Sequence, residues 1–352
     1  MKHLERNIVP ALLAWYDYNA RILPWRSEPT PYRVWISEIM LQQTRVEAVK
    51  PYYDRFMEAL PNVEALASVD DEKLMKLWEG LGYYNRARNL KEAAKTVMEK
   101  FEGKLPASYE ELLTLKGIGE YTAGAIGSIA YQLPVPAVDG NVMRVVARLL
   151  VNGDDVLKPA TKRWMTKEIK AILPKDRAGD FNQALMELGA TVCLPNGTPL
   201  CGECPWDTVC QAHKEGKETE FPFKQPKKAR KIEKKNVYLL EYQGKFALRK
   251  RAEKGLLAGL WEFPTIDCGQ HLDNVDKFLE NIAKLSENVD KIGSGKHIFS
   301  HIEWHMTGYY VLLQKKPTED SLVWLTKEEM AQEYAIPSAY EFMRDYLFNG
   351  KE

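Results

Sequence analysis

The sequence predicts a multidomain protein, an all-α domain over about residues 1–222 followed by an α+β domain over 236–352, and three observations carry that expectation. From Asn7 to about Ala212, apolar residues recur at spacings of three and four with short breaks at Pro and Gly, as in helices that bury one stripe. Between Lys224 and Lys235 seven basic residues stand against one acidic, so 223–235 reads as a solvated basic linker. Beyond it, Val237-Tyr-Leu-Leu-Glu-Tyr242, Lys245-Phe-Ala-Leu-Arg249 and Met306-Thr-Gly-Tyr-Tyr-Val-Leu-Leu313 read as strands, with helices expected over 275–285 and 338–347.

A chain of 352 residues exceeds what one core organises, and 45% hydrophobic with 28% charged residues is an ordinary globular balance. No apolar run approaches the roughly 18 residues of a membrane span, and Met1-Lys-His-Leu-Glu-Arg-Asn7 has no secretory core. A cytosolic protein with no membrane partner is expected. Lys+Arg and Asp+Glu both total 49, so whole-chain charge argues nothing about nucleic acid, and any basic surface must be local.

Four of the five cysteines, Cys193, Cys201, Cys204 and Cys210, fall in one segment interrupted by Pro195, Gly197, Pro199, Gly202 and Pro205. Their spacing, x7, x2 and x5, offers four soft thiolates to one metal group, which selects zinc or iron–sulfur over hard cations. Spacing alone does not separate a closed zinc site from a [4Fe–4S] cluster. Cys268 stands apart as a bystander.

Leu115-Lys-Gly-Ile-Gly-Glu-Tyr-Thr-Ala-Gly-Ala-Ile126 places Gly117 and Gly119 between two helical segments, a turn whose exposed N–H groups can hold a phosphate without reading sequence. The same pattern would also make a plain αα-hairpin. Asp139, in Val135-Pro-Ala-Val-Asp-Gly-Asn-Val-Met-Arg144, stands at the mouth of the next helix, where it could be only an N-cap. Glu38, Gln42 and Arg45 follow i, i+4, i+7 and are expected on one helix face, where an isolated Glu is ordinarily solvated. Together Glu38 and Asp139 suit N-glycosidic cleavage, which needs a proton donor for the departing base and a negative charge beside the oxocarbenium ion.

The hairpin, the Val138-Asp139-Gly140-Asn141 step and the four cysteines resemble the helix-hairpin-helix DNA glycosylase superfamily with its [4Fe–4S] loop. Leu23-Pro-Trp-Arg26, Ser37-Glu-Ile-Met-Leu-Gln-Gln-Thr44, Trp78-Glu-Gly-Leu-Gly-Tyr-Tyr84 and Phe299-Ser-His301 resemble its adenine glycosylase branch, the MutY family. The likeness runs over nearly the whole chain. It implies a hairpin over about 108–131, an iron–sulfur loop over 193–210 and a Nudix-like domain over 236–352. One departure is the first cysteine gap, seven residues where the family usually has six.

The resemblance further implies removal of adenine mispaired with 8-oxoguanine or guanine in double-stranded DNA, by a bacterial cytosolic monomer. Adenine would be flipped out of the duplex. Glu38 would protonate it at N7 and later activate water; Asp139 would stabilise the sugar cation, or briefly bond to it, with Tyr121 and Asn141 positioning both. Arg26 and Glu187 would line the adenine pocket, Gln43 and Tyr83 would wedge into the duplex, and Phe299, Ser300 and His301 would read 8-oxoguanine. Bifunctional relatives carry a lysine where Tyr121 stands, so hydrolysis with little strand cleavage is expected. Gly259-Leu-Trp-Glu-Phe-Pro264 resembles the stretch before the Nudix box, but the glutamate array that would bind magnesium is missing from the residues that follow. That weighs against a nucleotide pyrophosphohydrolase. Both carboxylates being present weighs against a binding-only protein, and a thymine or uracil glycosylase has no use for Phe299-Ser-His301. His297, His301 and His305 recur every four residues like metal ligands, yet their apolar neighbours suit a strand or loop better.

Overall fold

A computed structural model describes residues 1, 4–226, 229–268, 280, 282–317 and 321–350. The chain divides into two units, Met1–Val69 with Arg88–Pro226, and Asp70–Ala87 with Lys227–Glu352. The segment 70–87, sequentially inside the helical half, is therefore grouped with the sheet-containing half.

The first unit is helical. Its helices are α1 (Glu5–Asn19), α2 (Pro31–Leu41), α3 (Val46–Ala59) and α4 (Val63–Ser68), while α5 (Asp71–Leu77) belongs to the second unit. Next come α6 (Asn85–Lys100), α7 (Tyr109–Leu112), α8 (Glu120–Ala125), α9 (Gly140–Leu150), α10 (Pro159–Lys170), α11 (Ala178–Thr191) and α12 (Gln211–Lys214). Starts follow local chemistry. Thr30 accepts the Arg33 N–H ahead of Pro31 at the first turn of α2, and Asn62 accepts the Ala65 N–H at α4. The hairpin is α7 and α8, and α8 runs on into a π-turn over Ile126–Ala130 that the sequence periodicity did not announce.

One core gathers Ile8 and Leu12 of α1, Val142, Val145 and Leu149 of α9, and Phe181, Leu185 and Leu188 of α11. The unit also buries Trp35, Ile36 and Met40 of α2 with Phe56 of α3 among its fully enclosed side chains. Each such side chain contributes about 1.5–3 kcal/mol on burial, which is why α2 is held through nearly its whole length.

One expectation fails here. Glu38, Gln42 and Arg45 do not share a helix face, because α2 stops at Leu41, Gln42 caps it and Arg45 is already the extended N-cap of α3. Gln43 between them takes a left-handed backbone, φ 59°, and turns the chain.

The second unit is built on a seven-stranded mixed sheet: β1 (Lys231–Tyr242), β2 (Lys245–Lys250), β3 (Trp261–Glu262), β4 (Thr265–Asp267), β5 (Ser286–Ile298), β6 (Ile302–Leu313) and β7 (Leu322–Leu325). The order is β3-β2-β1-β6-β5, with β4 on β1 and β7 on β2; β1 and β6 are parallel, from Lys231 opposite Ile302. Helices α13 (Lys327–Glu333) and α14 (Glu341–Asn349) follow. The pleat sends alternate residues to opposite faces. Val237, Leu239, Trp304 and Met306 join Met330, Tyr340 and Met343 on one face, while Tyr238, Leu240, Val311 and Leu313 join Ile282 and Trp324 on the other. The first strand begins inside the basic stretch expected to be linker, because β6 supplies backbone partners from Lys231 onward. The helix expected over 275–285 falls largely outside the described residues, as does the stretch where a Nudix glutamate array would follow Cys268. Among the described residues no helix is long and apolar enough to cross a membrane.

Candidate active site

A cleft of about 570 Å³ in the helical unit is lined by Arg26, Glu38, Gln43, Gly117, Gly119, Tyr121, Asp139, Asn141 and Glu187, nine residues singled out from sequence alone. Glu38 enters it from α2, where Val34 to Met40 are all buried, so the carboxylate is enclosed rather than solvated. The Tyr121 hydroxyl donates to Glu38 Oε2 and lies 3.4 Å from Met186 Sδ. Burial pushes the Glu38 carboxyl up to about 7; the Tyr121 hydrogen bond opposes that rise, the charge of Asp139 adds to it, and Arg26 lowers it. A carboxyl held there is protonated in a useful fraction at neutral pH, as a general acid requires.

Asp139 is both a cap and a site residue. Its Oδ1 accepts the Val142 N–H at 2.7 Å, and its Oδ2 accepts from Asn141 Nδ2 at 2.9 Å. Burial leaves its pKa above the ordinary value, although the hydrogen bonds from Val142 and Asn141 and the charge of Arg144 oppose the rise and the start of α9 favours an anion. The two acids thus differ in surroundings: Glu38 has one phenol donor in a buried pocket, Asp139 a set of fixed donors. Two carboxyls in unlike surroundings can hold different protonation states at one pH.

Behind Asp139 the network continues. Asn141 Oδ1 accepts from Arg144 Nη2 at 2.9 Å; the same nitrogen donates to the Gly189 carbonyl at 2.7 Å, and Arg144 Nε donates to the Cys193 carbonyl at 2.9 Å. A Cβ on Gly189 would sit 2.7 Å from Asn141 Cβ, so glycine is what lets α11 approach the Asp139–Asn141 turn. The sequence did not single out Arg144, nor Arg21. Arg21 Nε donates to Glu187 Oε1 at 2.5 Å, and Arg26 Nη2 donates to Oε2 at 2.8 Å. Burial pulls the Glu187 carboxyl upward, but Arg21 and Arg26 together outweigh it and leave it below the ordinary range. The cleft therefore offers a fixed carboxylate between two guanidinium groups on the wall lined by Leu23 and Trp25.

Gly117 turns the hairpin at φ 80°, and a Cβ there would meet Asn89 Cβ at 2.8 Å, so both backbone and space demand glycine. Gly119 caps α8 without any side-chain acceptor, leaving its first N–H groups open.

The four cysteines line one pocket with Arg148, Trp206, His213 and Glu218. The loop is anchored by Trp206, which is buried and donates to the Ile8 carbonyl at 2.8 Å. Burial pushes the Cys201 thiol up to about 11 and Cys204 up to about 12, and raises Cys210, so a cationic group beside these three would favour their thiolates. Arg148 Nη1 donates to Cys193 Sγ at 3.2 Å, which suits a ligand set of net negative charge. Cys268 is exposed in the other unit.

Tyr83, Phe299, Ser300 and His301 do not line the cleft; all four belong to the second unit. Phe299 N–H donates to the Ile302 carbonyl at 2.8 Å, closing a tight turn between β5 and β6. The Phe299 ring packs edge-on against His297 and Trp304, with centroids 4.6 and 4.9 Å away, while Ser300 and His301 are exposed at the tip. His297 lies in β5 and His305 in β6, where His305 bonds Glu303 at 2.6 Å.

The arrangement has counterparts among known proteins. The solved structure titled a thermostable thymine-DNA glycosylase aligns over 60% of this chain and 98% of its own with TM-score 0.54 and 26% identity. A non-covalent endonuclease III–DNA complex aligns over 61% and 98% with TM-score 0.53 and 25% identity. Residues 36–175 match the HhH-GPD superfamily of base excision DNA repair proteins, and 236–343 match the NUDIX domain. Adenine DNA glycosylase of Mus musculus is 33% identical, covering 95% of this chain and 77% of its own. That of Buchnera aphidicola subsp. Schizaphis graminum is 36% identical over 84% of each. The Arabidopsis thaliana protein of the same name is 37% identical, and the chain spans 60% of its length. With its paired carboxylates in a helical cleft, its hairpin and its Nudix-like second half, the chain belongs to the adenine DNA glycosylase family of base excision repair.

Proposed function

We propose that this protein hydrolyses the N-glycosidic bond of adenine mispaired with 8-oxoguanine or guanine, acting as a monomer on double-stranded DNA in a bacterial cytosol and leaving an abasic site. The observation that carries this reading is Glu38, poised near neutrality in a cleft shared with Asp139 and hydrogen-bonded to Tyr121. Adenine enters the cleft between Glu38 and the Arg26–Glu187 pair, where a fixed acceptor can take its amino group. Glu38 donates its proton to N7, making the base a neutral leaving group. Asp139, oriented by Val142 N–H and Asn141, stabilises the positive charge that develops on the sugar. Glu38, now ionised, takes a proton from the water that completes hydrolysis. Tyr121 holds Glu38 and carries no amine, so no Schiff base forms there. The open N–H groups around Gly117 and Gly119 meet backbone phosphate.

In this proposal Cys193, Cys201, Cys204 and Cys210 hold a [4Fe–4S] cluster, which supplies order to the loop rather than a step of the reaction. The support is that the four soft thiolates line one pocket, with Arg148 Nη1 donating to Cys193 Sγ, as suits a thiolate-ligated cluster of net negative charge. Anaerobically purified protein is expected to be yellow-brown and to lose colour and DNA affinity on Cys201→Ser. Colourless wild-type protein with stoichiometric zinc would overturn the assignment.

Ser300 and His301, exposed at the β5–β6 turn, are proposed to meet 8-oxoguanine and its flanking backbone, with Phe299 bracing the turn through His297 and Trp304. A hydrogen bond to the lesion edge is worth on the order of 1–3 kcal/mol. Ser300→Ala with Phe299→Ala should therefore cut the preference for A:8-oxoguanine over A:G by roughly ten- to hundredfold, read as single-turnover rates at limiting enzyme. Retention of full preference would place the reader elsewhere.

A further inference from the structure

Segment 70–87 is held within the second unit by two acidic side chains that the catalytic reading does not use. Asp70 caps α5, accepting the Glu72 N–H at 2.9 Å and the Lys73 N–H at 3.3 Å, which fixes the helix start. Glu72 then accepts from Trp261 Nε1 at 2.8 Å and from Lys250 Nζ at 2.7 Å. Beyond the helix end, Glu79 Oε1 accepts the Ile336 N–H at 2.9 Å and Arg344 Nη1 at 3.2 Å, while Oε2 pairs with Lys76 at 2.7 Å. Lys76 also donates to the Tyr334 carbonyl at 3.1 Å, and the Tyr334 ring meets Trp261 edge-on at 4.9 Å. Ala335 and Ile336 are both 1% exposed, so the Ile336 N–H has a carboxylate in place of water.

The loop that follows is tied to itself. Trp78 Nε1 donates to the Gly82 carbonyl at 3.1 Å, and Arg86 Nη2 donates to the carbonyls of Leu81 and Gly82 at 2.9 and 3.1 Å. Gly80, Gly82 and Tyr83 take φ of 97°, 68° and 47°, a conformation the surroundings must hold in place for tyrosine. Tyr83 emerges from it half-exposed. Glu79 thus joins a stiff loop to the same unit that carries the Phe299–Ile302 turn.

We propose that Glu72 and Glu79 form a polar latch that makes the Trp78–Tyr84 loop part of the second unit, so that Tyr83 and the Ser300 turn engage DNA as one body. Glu79 is then a positioning residue for the duplex wedge, and reading the lesion and wedging the duplex are one event. The functional half rests on the glycosylase reading above; the structural half does not.

Two measurements on the full chain separate them. In Glu72→Gln/Glu79→Ala protein, amide exchange at 78–84 and 334–336 should accelerate at least tenfold while α9 and α11 keep wild-type protection. Single-turnover excision should lose about tenfold of the A:8-oxoguanine over A:G preference. Glu79→Gln, which keeps an acceptor for Ile336, should fall between. Unchanged loop exchange in the double variant overturns the latch. Faster exchange with full lesion preference overturns the coupling. A wild-type protein that excises no adenine would sink the functional reading, and the exchange experiment would still decide the latch.

Discussion

Replacing Glu38 by Gln should slow single-turnover excision of adenine by on the order of 10²–10⁴-fold while leaving mispair binding intact. Glutamine keeps the shape and accepts from the Tyr121 hydroxyl, so the variant loses the proton and little else. The pH dependence follows from the same group. Because burial raises its pKa to about 7, Glu38 is protonated and competent below that pH and is lost as an acid above it. The rate should fall roughly tenfold per pH unit above about 7, and Glu38→Gln should abolish that limb. A wild-type rate that stays level through pH 9 would remove Glu38 from the role of acid.

Asp139→Asn should cost about 10²–10³-fold in the same assay, the scale of removing one preorganised charge stabiliser. Asparagine caps helices about as well as aspartate and can still accept the Val142 N–H, so α9 should keep its start and the melting temperature should barely move. The comparison with Asp139→Ala isolates the two roles: alanine removes the cap as well and should lower stability by about 1 kcal/mol. Near-wild-type excision by Asp139→Asn would show that the sugar cation is stabilised by something else.

Much of this was legible in the sequence because it is local. The helical spacing, the basic stretch and the strand texture each sit in one window, and Asp139 can be seen as a cap from the residues around it. The cleft needed the resemblance, since nothing in spacing brings Glu38 to Asp139. What escaped reading depends on partners far along the chain. Arg21 owes its place to Glu187, and Arg144 to the Gly189 and Cys193 carbonyls. The end of α2 at Leu41 escaped because Gln42 to Arg45 continue the helical spacing, and only the left-handed Gln43 breaks it. Strand β1 starts at Lys231 because β6 provides a ladder there, although the composition alone describes a solvated tether. Glu72 and Glu79 likewise meet partners far along the chain, Trp261 and Ile336.

Whether this cleft releases adenine according to what lies opposite it is decided by adenine release from an A:8-oxoguanine duplex beside an A:T duplex of the same sequence, with strand cleavage followed before and after alkali. Release should be rapid from the lesion duplex and negligible from A:T, with strand breaks that appear only once alkali is added. Equal release from both duplexes, or breakage without alkali as abundant as the free base, would contradict this reading.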